Sequence, residues 1–356
     1  MIDPSTAGPA TVRNGRSPDP AGPSRTANWA PRLAASVRTR GVVVIWLALV
    51  LFFWAWSGPA FFTLNNARLV ANASATTAIF GAAVGLCVLV GPLDLSVPGT
   101  AAVAGVVCAK LLANHAPTAV AIGAAIGVGV LAGAVNALLI ELRLNPLATT
   151  IGTLTALSGV AALLSDNQPV LLNVPSGLDW LGNNRYWTIP APVFVVAVIY
   201  LLGWLLLTKT YLGVRLLAVG GNADGARRIG VRTPAYRLLG FVMSGTCAAI
   251  GGVVVAAVIS QASPTPDTNQ LFQALTAVAL SGIALSGGRG SFPQITVGAL
   301  IIATVNSGLI IHGLAPAWAT FATGALLVGA LAFDRITAAT LGMVRYRGAT
   351  TTRRSG

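Results

Sequence analysis

Asp94 and Ser96 lie in Val90-Gly-Pro-Leu-Asp94-Leu-Ser96-Val-Pro98-Gly99-Thr100, where prolines, glycines, a carboxylate and hydroxyls interrupt an otherwise apolar run. Backbone groups freed by such a break must be satisfied inside protein or by water in a cavity. The segment has two readings: a tight cytoplasmic turn between two short helices, or a broken helix lining a translocation route into which Asp94 and Ser96 project. A second interruption, Ser281-Gly-Ile-Ala-Leu-Ser286-Gly-Gly-Arg289-Gly-Ser-Phe-Pro293, follows the same grammar. It is no phosphate loop, because the Lys-Ser/Thr ending is missing and no strand precedes it. Cys87, Cys108 and Cys247 fall in apolar runs at no metal-ligand spacing and read as small buried residues. No nucleophile and base are paired, so neither a catalytic nor a metal site is expected.

The elements that must position these residues are membrane helices. Only 9% of the 356 residues are charged and 55% are hydrophobic, against about 25% charged in a soluble domain. A net charge of +13 would suggest nucleic acid in a soluble protein. Here the placement of the charges matters more, and no nucleic-acid partner is expected. Uncharged stretches between successive charged residues predict spans near 42–57, 69–91, 95–110, 117–140, 147–165, 189–208, 238–260, 270–286, 294–312 and 317–333. If these alternate from a cytoplasmic amino terminus, every Lys and Arg except Arg68, Lys110 and Arg185 falls inside, a strong positive-inside pattern.

The fold class is therefore an all-α integral membrane protein of about ten transmembrane helices, some short or broken, with both termini cytoplasmic. Residues 1–40, rich in Pro, Ser, Thr and Arg, read as a disordered cytoplasmic tail. Residues 41–335 form the membrane domain, with a cytoplasmic loop at 209–237, and 336–356 form a basic tail. His115 and His312 lie near the outer ends of spans. Polar groups within the spans, among them Asn136, Gln273 and Asn306, are mostly amides and hydroxyls. Many such groups simply join helices.

The 209–237 loop contains a short helix signal. Asn222 is a cap, Asp224 suits the first turn, Arg227 and Arg228 suit the last, and Gly230 closes the helix in the left-handed conformation. The loop reads either as a solvated segment that sets topology or as a helix that docks into a partner's groove.

Several segments carry a resemblance. Leu93-Asp94-Leu95-Ser96-Val97 is similar to an Ile-Asp-Leu-Ser-Val element, and Asn145-Pro146-Leu147-Ala148-Thr149-Thr150-Ile151-Gly152 to a Pro-Phe-Ile-Ala-Thr-Leu-Gly element. Ala218-Val219-Gly220-Gly221-Asn222, followed by Ala226, Arg227 and Gly230-Val231, matches a coupling segment. From about residue 61 to 335 the chain resembles the permease subunits of ABC importers for monosaccharides of the ribose, xylose and galactose type. Gly91-Pro92 stands where that family has Gly-Gly, and Pro98 where a glycine is common.

The resemblance implies that Gly220, Gly221, Asn222, Ala226, Arg227, Arg228, Gly230 and Val231 receive a separate sugar-type ATPase subunit. That subunit would hold ATP and Mg, and this chain would bind no cofactor. It further implies a second permease copy, most simply in a homodimer, and a location in the lipid bilayer of the bacterial plasma (inner) membrane. An extracytoplasmic substrate-binding protein would engage residues 165–187, including Trp180 and Tyr186, and residues 261–269. Trp180, Tyr186 and Trp187 read equally as an interfacial aromatic belt. A neutral sugar needs hydroxyl and amide partners, which makes Asp94, Ser96, Asn136, Gln273 and Asn306 the pathway candidates. The alternatives are a related permease for branched-chain amino acids, nucleosides or a signalling furanone, and an ion-coupled secondary transporter in which Asp94 carries the coupling.

Overall fold

The computed structural model describes residues 29–172, 177–182, 185–186, 188–284, 287–288 and 290–351. Contacts divide the chain into Met1–Arg38 and Thr39–Gly356. The described part of the first unit is helical from Trp29, and the second unit holds a helix bundle. The first half comprises α1 (Trp29–Ser57), α2 (Leu64–Val90), α3 (Val97–Ala113), α4 (Thr118–Glu141) and α5 (Pro146–Ser165). After them come α6 (Asp179–Gly182), α7 (Ala191–Lys209), α8 (Tyr211–Gly221), α9 (Ala223–Arg228), α10 (Thr233–Ile259), α11 (Thr268–Leu280), α12 (Ile295–Ile311) and α13 (Pro316–Thr351). Strands β1 (Val170–Leu171), β2 (Arg185–Tyr186), β3 (Ile189–Pro190) and β4 (Gln261–Ala262) pair antiparallel as β1 with β4 and β2 with β3.

Local chemistry starts these helices where side chains can satisfy their first amide groups. Thr63 caps α2 by accepting from the Asn66 amide, and Asn145 caps α5 by accepting from Leu147 and Ala148, with Pro146 at the first helical position. Asp267 caps α11 through the amides of Asn269 and Gln270. The helix that begins at Trp29 and the one that runs on to Thr351 extend into segments read from sequence as tails. The disorder expected of residues 1–28, and the end of the basic tail at 352–356, lie outside the described residues.

Apolar composition alone does not distinguish a central helix from a peripheral one; burial does. In α2 the most apolar window is 89% buried, whereas in α5 it is 11% buried. A helix apolar on all sides and enclosed by others is a bundle centre. α2 is surrounded by α7, α10, α11 and α12. The exposed leucines and aromatic residues of α1, α5 and α13, including Leu163 and Phe321, face outward, as lipid-facing residues do.

α4 and α10 pack closely because small residues line one face of each. Ala125, Gly129, Gly133 and Ala137 recur every fourth residue and are all buried, the spacing that lets membrane helices approach backbone to backbone. A Cβ on Gly129 would overlap the carbonyl oxygen of Gly245, and one on Gly245 would overlap that of Gly129.

Among the described residues, eight helical segments are long and apolar enough to cross a membrane. The two expected spans that fall short flank the interruptions. α3 has 17 residues and α11 has 13, or about 25 and 20 Å at about 1.5 Å per residue, against a hydrocarbon core of about 30 Å. Each is enclosed by protein, α3 by α4, α5 and α10, and α11 by α2, α12 and α13. Their irregular ends are thus placed where non-helical backbone is tolerated.

Candidate coupling and translocation site

The first interruption begins at Gly91, whose φ of +136° is a conformation only glycine adopts readily. Its amide closes α2 on the carbonyls of Cys87 and Val88. Asp94 then turns inward and is 1% exposed. Its Oδ1 accepts from the Ser96 amide at 2.9 Å and from Ser96 Oγ at 2.6 Å, while Oδ2 accepts from Ser244 Oγ at 3.1 Å. Asn136 Nδ2 donates to Ser96 Oγ at 2.7 Å and reaches Asp94 Oδ1 at 3.5 Å. Ser96, Asn136 and Ser244 are as buried as Asp94.

One carboxylate thus joins the start of α3 to α4 and α10. Asp94 sits in the link between two helices, and hydrogen bonds from Ser96 and Ser244 satisfy its two carboxylate oxygens. Its partners are neutral donors, and among the described residues no cation lies within ion-pair distance of it.

Gln273 and Asn306 lie apart from this network. Thr77 Oγ1 of α2 donates to Gln273 Oε1 of α11 at 3.2 Å. Asn306 is half-buried on α12, with its Oδ1 atom buried and free of any partner among the described residues. Beside it, Ser307 Oγ donates to Asn66 Oδ1 of α2. Sequence candidates therefore separate into a sealed cluster of Asp94, Ser96 and Asn136 and a less enclosed pair on α11 and α12. Ser244 completes the sealed cluster and was not singled out from sequence. Its signal is a hydroxyl among the small residues of a span, and several other hydroxyls share it.

The 209–237 segment holds two helices. α8 is capped by Thr210, whose hydroxyl accepts from the Gly213 amide at 3.2 Å, and it buries Gly213, Leu216 and Val219. α9 follows from Asn222, whose Oδ1 accepts from the Gly225 amide at 2.8 Å. Asp224 and Arg227 approach to 3.6 Å. The helix ends with the Gly230 amide on the Arg227 carbonyl and the Val231 amide on the Ala226 carbonyl, with Gly230 at φ +84°. That pair of bonds is the Schellman closure expected of the glycine. Asn222, Arg227, Arg228 and Gly230 are exposed, Val231 is half-buried, and Ala226 is buried. Asn222→Ala is expected to raise amide exchange at Gly225 about fivefold, the effect of losing a cap that contributes about 1 kcal/mol. The melting temperature of the whole protein should stay unchanged; unaltered exchange would show that the cap does not hold the helix.

Gly220 is half-buried and Gly221 exposed, and their backbones lie against both interruptions. A Cβ on Gly220 would overlap the Leu89 carbonyl oxygen at the end of α2, and one on Gly288 would overlap the Gly221 Cα. The Gly288 amide donates to that same Leu89 carbonyl at 3.2 Å. Gly91 lies alongside, with the Gly220 Cα 4.0 Å from where its Cβ would be. The end of α2, the end of α8 and the Gly287-Gly288 turn thus meet without side chains between them. An exposed helix, α9, is attached directly to this junction. The arrangement can transmit displacement of α9 to both irregular segments.

On the opposite side, the two segments read as outer surfaces are joined. β1 pairs with β4, and the Leu172 amide donates to the Ser260 carbonyl at 3.0 Å. Trp180 is exposed on α6, Tyr186 lies in β2, and Trp187 lies outside the described residues. His312 ends α12 and stacks on Trp56 with ring centres 3.8 Å apart.

Comparison with known proteins places this architecture. A family model described as the branched-chain amino acid transport system / permease component matches residues 66–331. The galactofuranose transporter permease protein of Escherichia coli (strain K12) is 33% identical over 84% of this chain and 88% of its own length. The L-arabinose transport system permease protein of the same strain is 31% identical over 82% of this chain and 88% of its own length. The D-allose transport system permease protein of that strain is 31% identical over 83% and 91%. No solved structure matches the chain. The matched region runs from the start of α2 into α13 and takes in both interruptions, the sealed carboxylate and the α8–α9 segment. A multi-pass helical bundle matched over that whole region belongs to the branched-chain amino acid transport system permease component family.

Proposed function

We propose that this chain forms the membrane pathway of an ATP-driven ABC importer for a monosaccharide. The observation that carries the mechanism is the attachment of an exposed, capped α9 to a side-chain-free junction shared by both membrane interruptions. In this reading a separate ATPase subunit, which holds ATP and Mg, docks on α9 through Asn222, Arg227, Arg228 and Gly230. Closure of the ATPase tilts α9; Gly220 and Gly221 pass that movement to the end of α2 and to the Gly287-Gly288 turn. Gln273 and Asn306 offer amide groups to a passing sugar, and Asp94, Ser96 and Asn136 brace the broken segment beside the route. The chain itself performs no hydrolysis.

The cargo class follows the relatives, whose names specify galactofuranose, L-arabinose and D-allose. The family description favours a second reading, a branched-chain amino acid. A neutral route lined by amides and hydroxyls suits the sugar better, because a zwitterion calls for charged partners. The basic residues of the 209–237 segment support a cytoplasmic side for it and, with alternating spans, for both termini. The paired outer segments around β1 and β4 then form the platform for a substrate-binding protein. A single coupling segment per chain calls for a second permease copy to engage two ATP sites, most simply as a homodimer in a bacterial plasma membrane.

Reconstitution in proteoliposomes with the candidate ATPase and binding protein tests this directly. Uptake of a labelled pentose or hexose is expected only with internal ATP and the binding protein. Uptake of leucine in place of sugars would select the amino acid reading. Uptake driven by a proton or sodium gradient without ATP would overturn the importer.

A further inference from the structure

α8 is apolar on two sides. Leu216 and Val219 are buried in the bundle, yet Leu212 and Val214 are exposed, and Arg215 is its only charged residue. A helix face lying in water is ordinarily polar, whereas one lying in the headgroup layer of a bilayer presents apolar and basic residues. The end of α7 marks that layer independently. Lys209 Nζ sits 5.5 Å from the centre of the half-exposed Trp204 ring, an aromatic and basic pair of the kind that anchors span ends at the interface. Tyr211, largely exposed, begins α8 just beyond it.

Between α8 and the first turns of α10 lies a cleft of about 830 Å³, within the size range of small-molecule sites. Leu212 of α8 and Leu239 and Val242 of α10 give it an apolar wall that follows the span. Arg215 and Arg232 also line it, the second as the residue preceding α10. Arg215 Nη1 donates to Tyr236 OH at 3.0 Å, which ties α8 to α10 and leaves other guanidinium donors available. No carboxylate lines the cleft, and among the described residues neither arginine has one within ion-pair distance.

We propose that this cleft binds an anionic phospholipid from the adjacent leaflet, its phosphate held by Arg215 and Arg232 and an acyl chain lying along Leu212, Leu239 and Val242. A phospholipid joins an anion to an apolar chain in one molecule and is present around every span. A protein occupant would have to bring both a carboxylate and an apolar segment into the headgroup layer. Gly230, which the import reading gives to the ATPase contact, also lines the cleft, but the site rests on the membrane-spanning fold and is tested on the permease without its ATPase, so either reading can fail alone.

The test uses the whole permease in detergent, offered equal amounts of dioleoylphosphatidylglycerol and dioleoylphosphatidylcholine, with retained lipid counted by native mass spectrometry. Two basic groups at a headgroup site are expected to favour the anionic lipid by about thirtyfold. Arg215→Gln with Arg232→Gln should abolish the preference, while Arg215→Lys with Arg232→Lys should keep most of it. Melting temperatures in phosphatidylcholine alone check that the variants fold. No preference in the unaltered protein, or a preference undiminished in the double glutamine variant, overturns the site. Displacement of the lipid by millimolar inorganic phosphate would make a free anion the ligand and also overturn it. So would a photocrosslinker at position 212 that captures a protein subunit in native membranes instead of lipid.

Discussion

Gly245→Leu is expected to remove the folded protein from the membrane. At this position the α4 and α10 backbones touch, and the nearest atom to an added Cβ is the Gly129 carbonyl oxygen. No rotamer relieves that overlap, so the two helices must part along the face shared by Gly129, Gly133 and Phe241. Inserting bulk into a packed core ordinarily costs about 1–3 kcal/mol, and a backbone that cannot shift puts this case at or above the upper end. Gly127→Leu on the facing helix α4 is the control, since an added Cβ there meets nothing within 4 Å. It should change stability by less than about 0.5 kcal/mol. Size-exclusion profiles after detergent extraction, with melting temperatures, read both outcomes. A monodisperse Gly245→Leu protein melting like the unaltered one would show that the close approach of α4 and α10 does not hold the bundle.

The second large effect separates two substitutions at Asp94. Asp94→Leu leaves the Ser96 amide, Ser96 Oγ and Ser244 Oγ facing an apolar side chain. Each stranded buried group costs about 1–3 kcal/mol, so the total loss is expected to reach about 3 kcal/mol or more. Asp94→Asn keeps an acceptor for Ser96, and the Ser244 hydroxyl can turn to accept from the new amide. That variant should melt close to the unaltered protein and retain ATP-dependent uptake. Equal loss of uptake in the two variants, with the asparagine protein still folded, would mean that the charge itself is used. Ion coupling would then be the correct mechanism.

The features legible in sequence were those made by neighbouring residues. Gly91-Pro92 and Pro98 announced the first interruption, Asn222 and Gly230 bracketed α9, and long uncharged runs located the spans. Each of these signals lies within a few positions of the structure it specifies. α8 was hidden because its apolar positions, Leu212, Leu216 and Val219, sit in an arginine-rich stretch that reads as a soluble loop. The length of α11 was overstated because apolar composition continues past the point where its helix stops. The partnership of Asp94 with Ser244, and of Gly220 with Gly288, joins distant parts of the chain. A single sequence records the type of each of those residues and nothing of their meeting. Gly220 was read as a contact for a partner, and its missing side chain is also required by this chain's own backbone at Leu89.

The junction at Leu89 also bears on the order of synthesis. A ribosome delivers α2 to the membrane early, but the carbonyl of Leu89 receives its outside donor only when Gly288 has emerged. Asp94 waits in the same way for Ser244, and Gly129 for Gly245. A nascent chain stopped before α10 therefore holds a buried carboxylate without part of its hydrogen bonding and a glycine face with nothing against it. The amino-terminal helices cannot mature as a unit of their own, and the last third of the polypeptide completes the first.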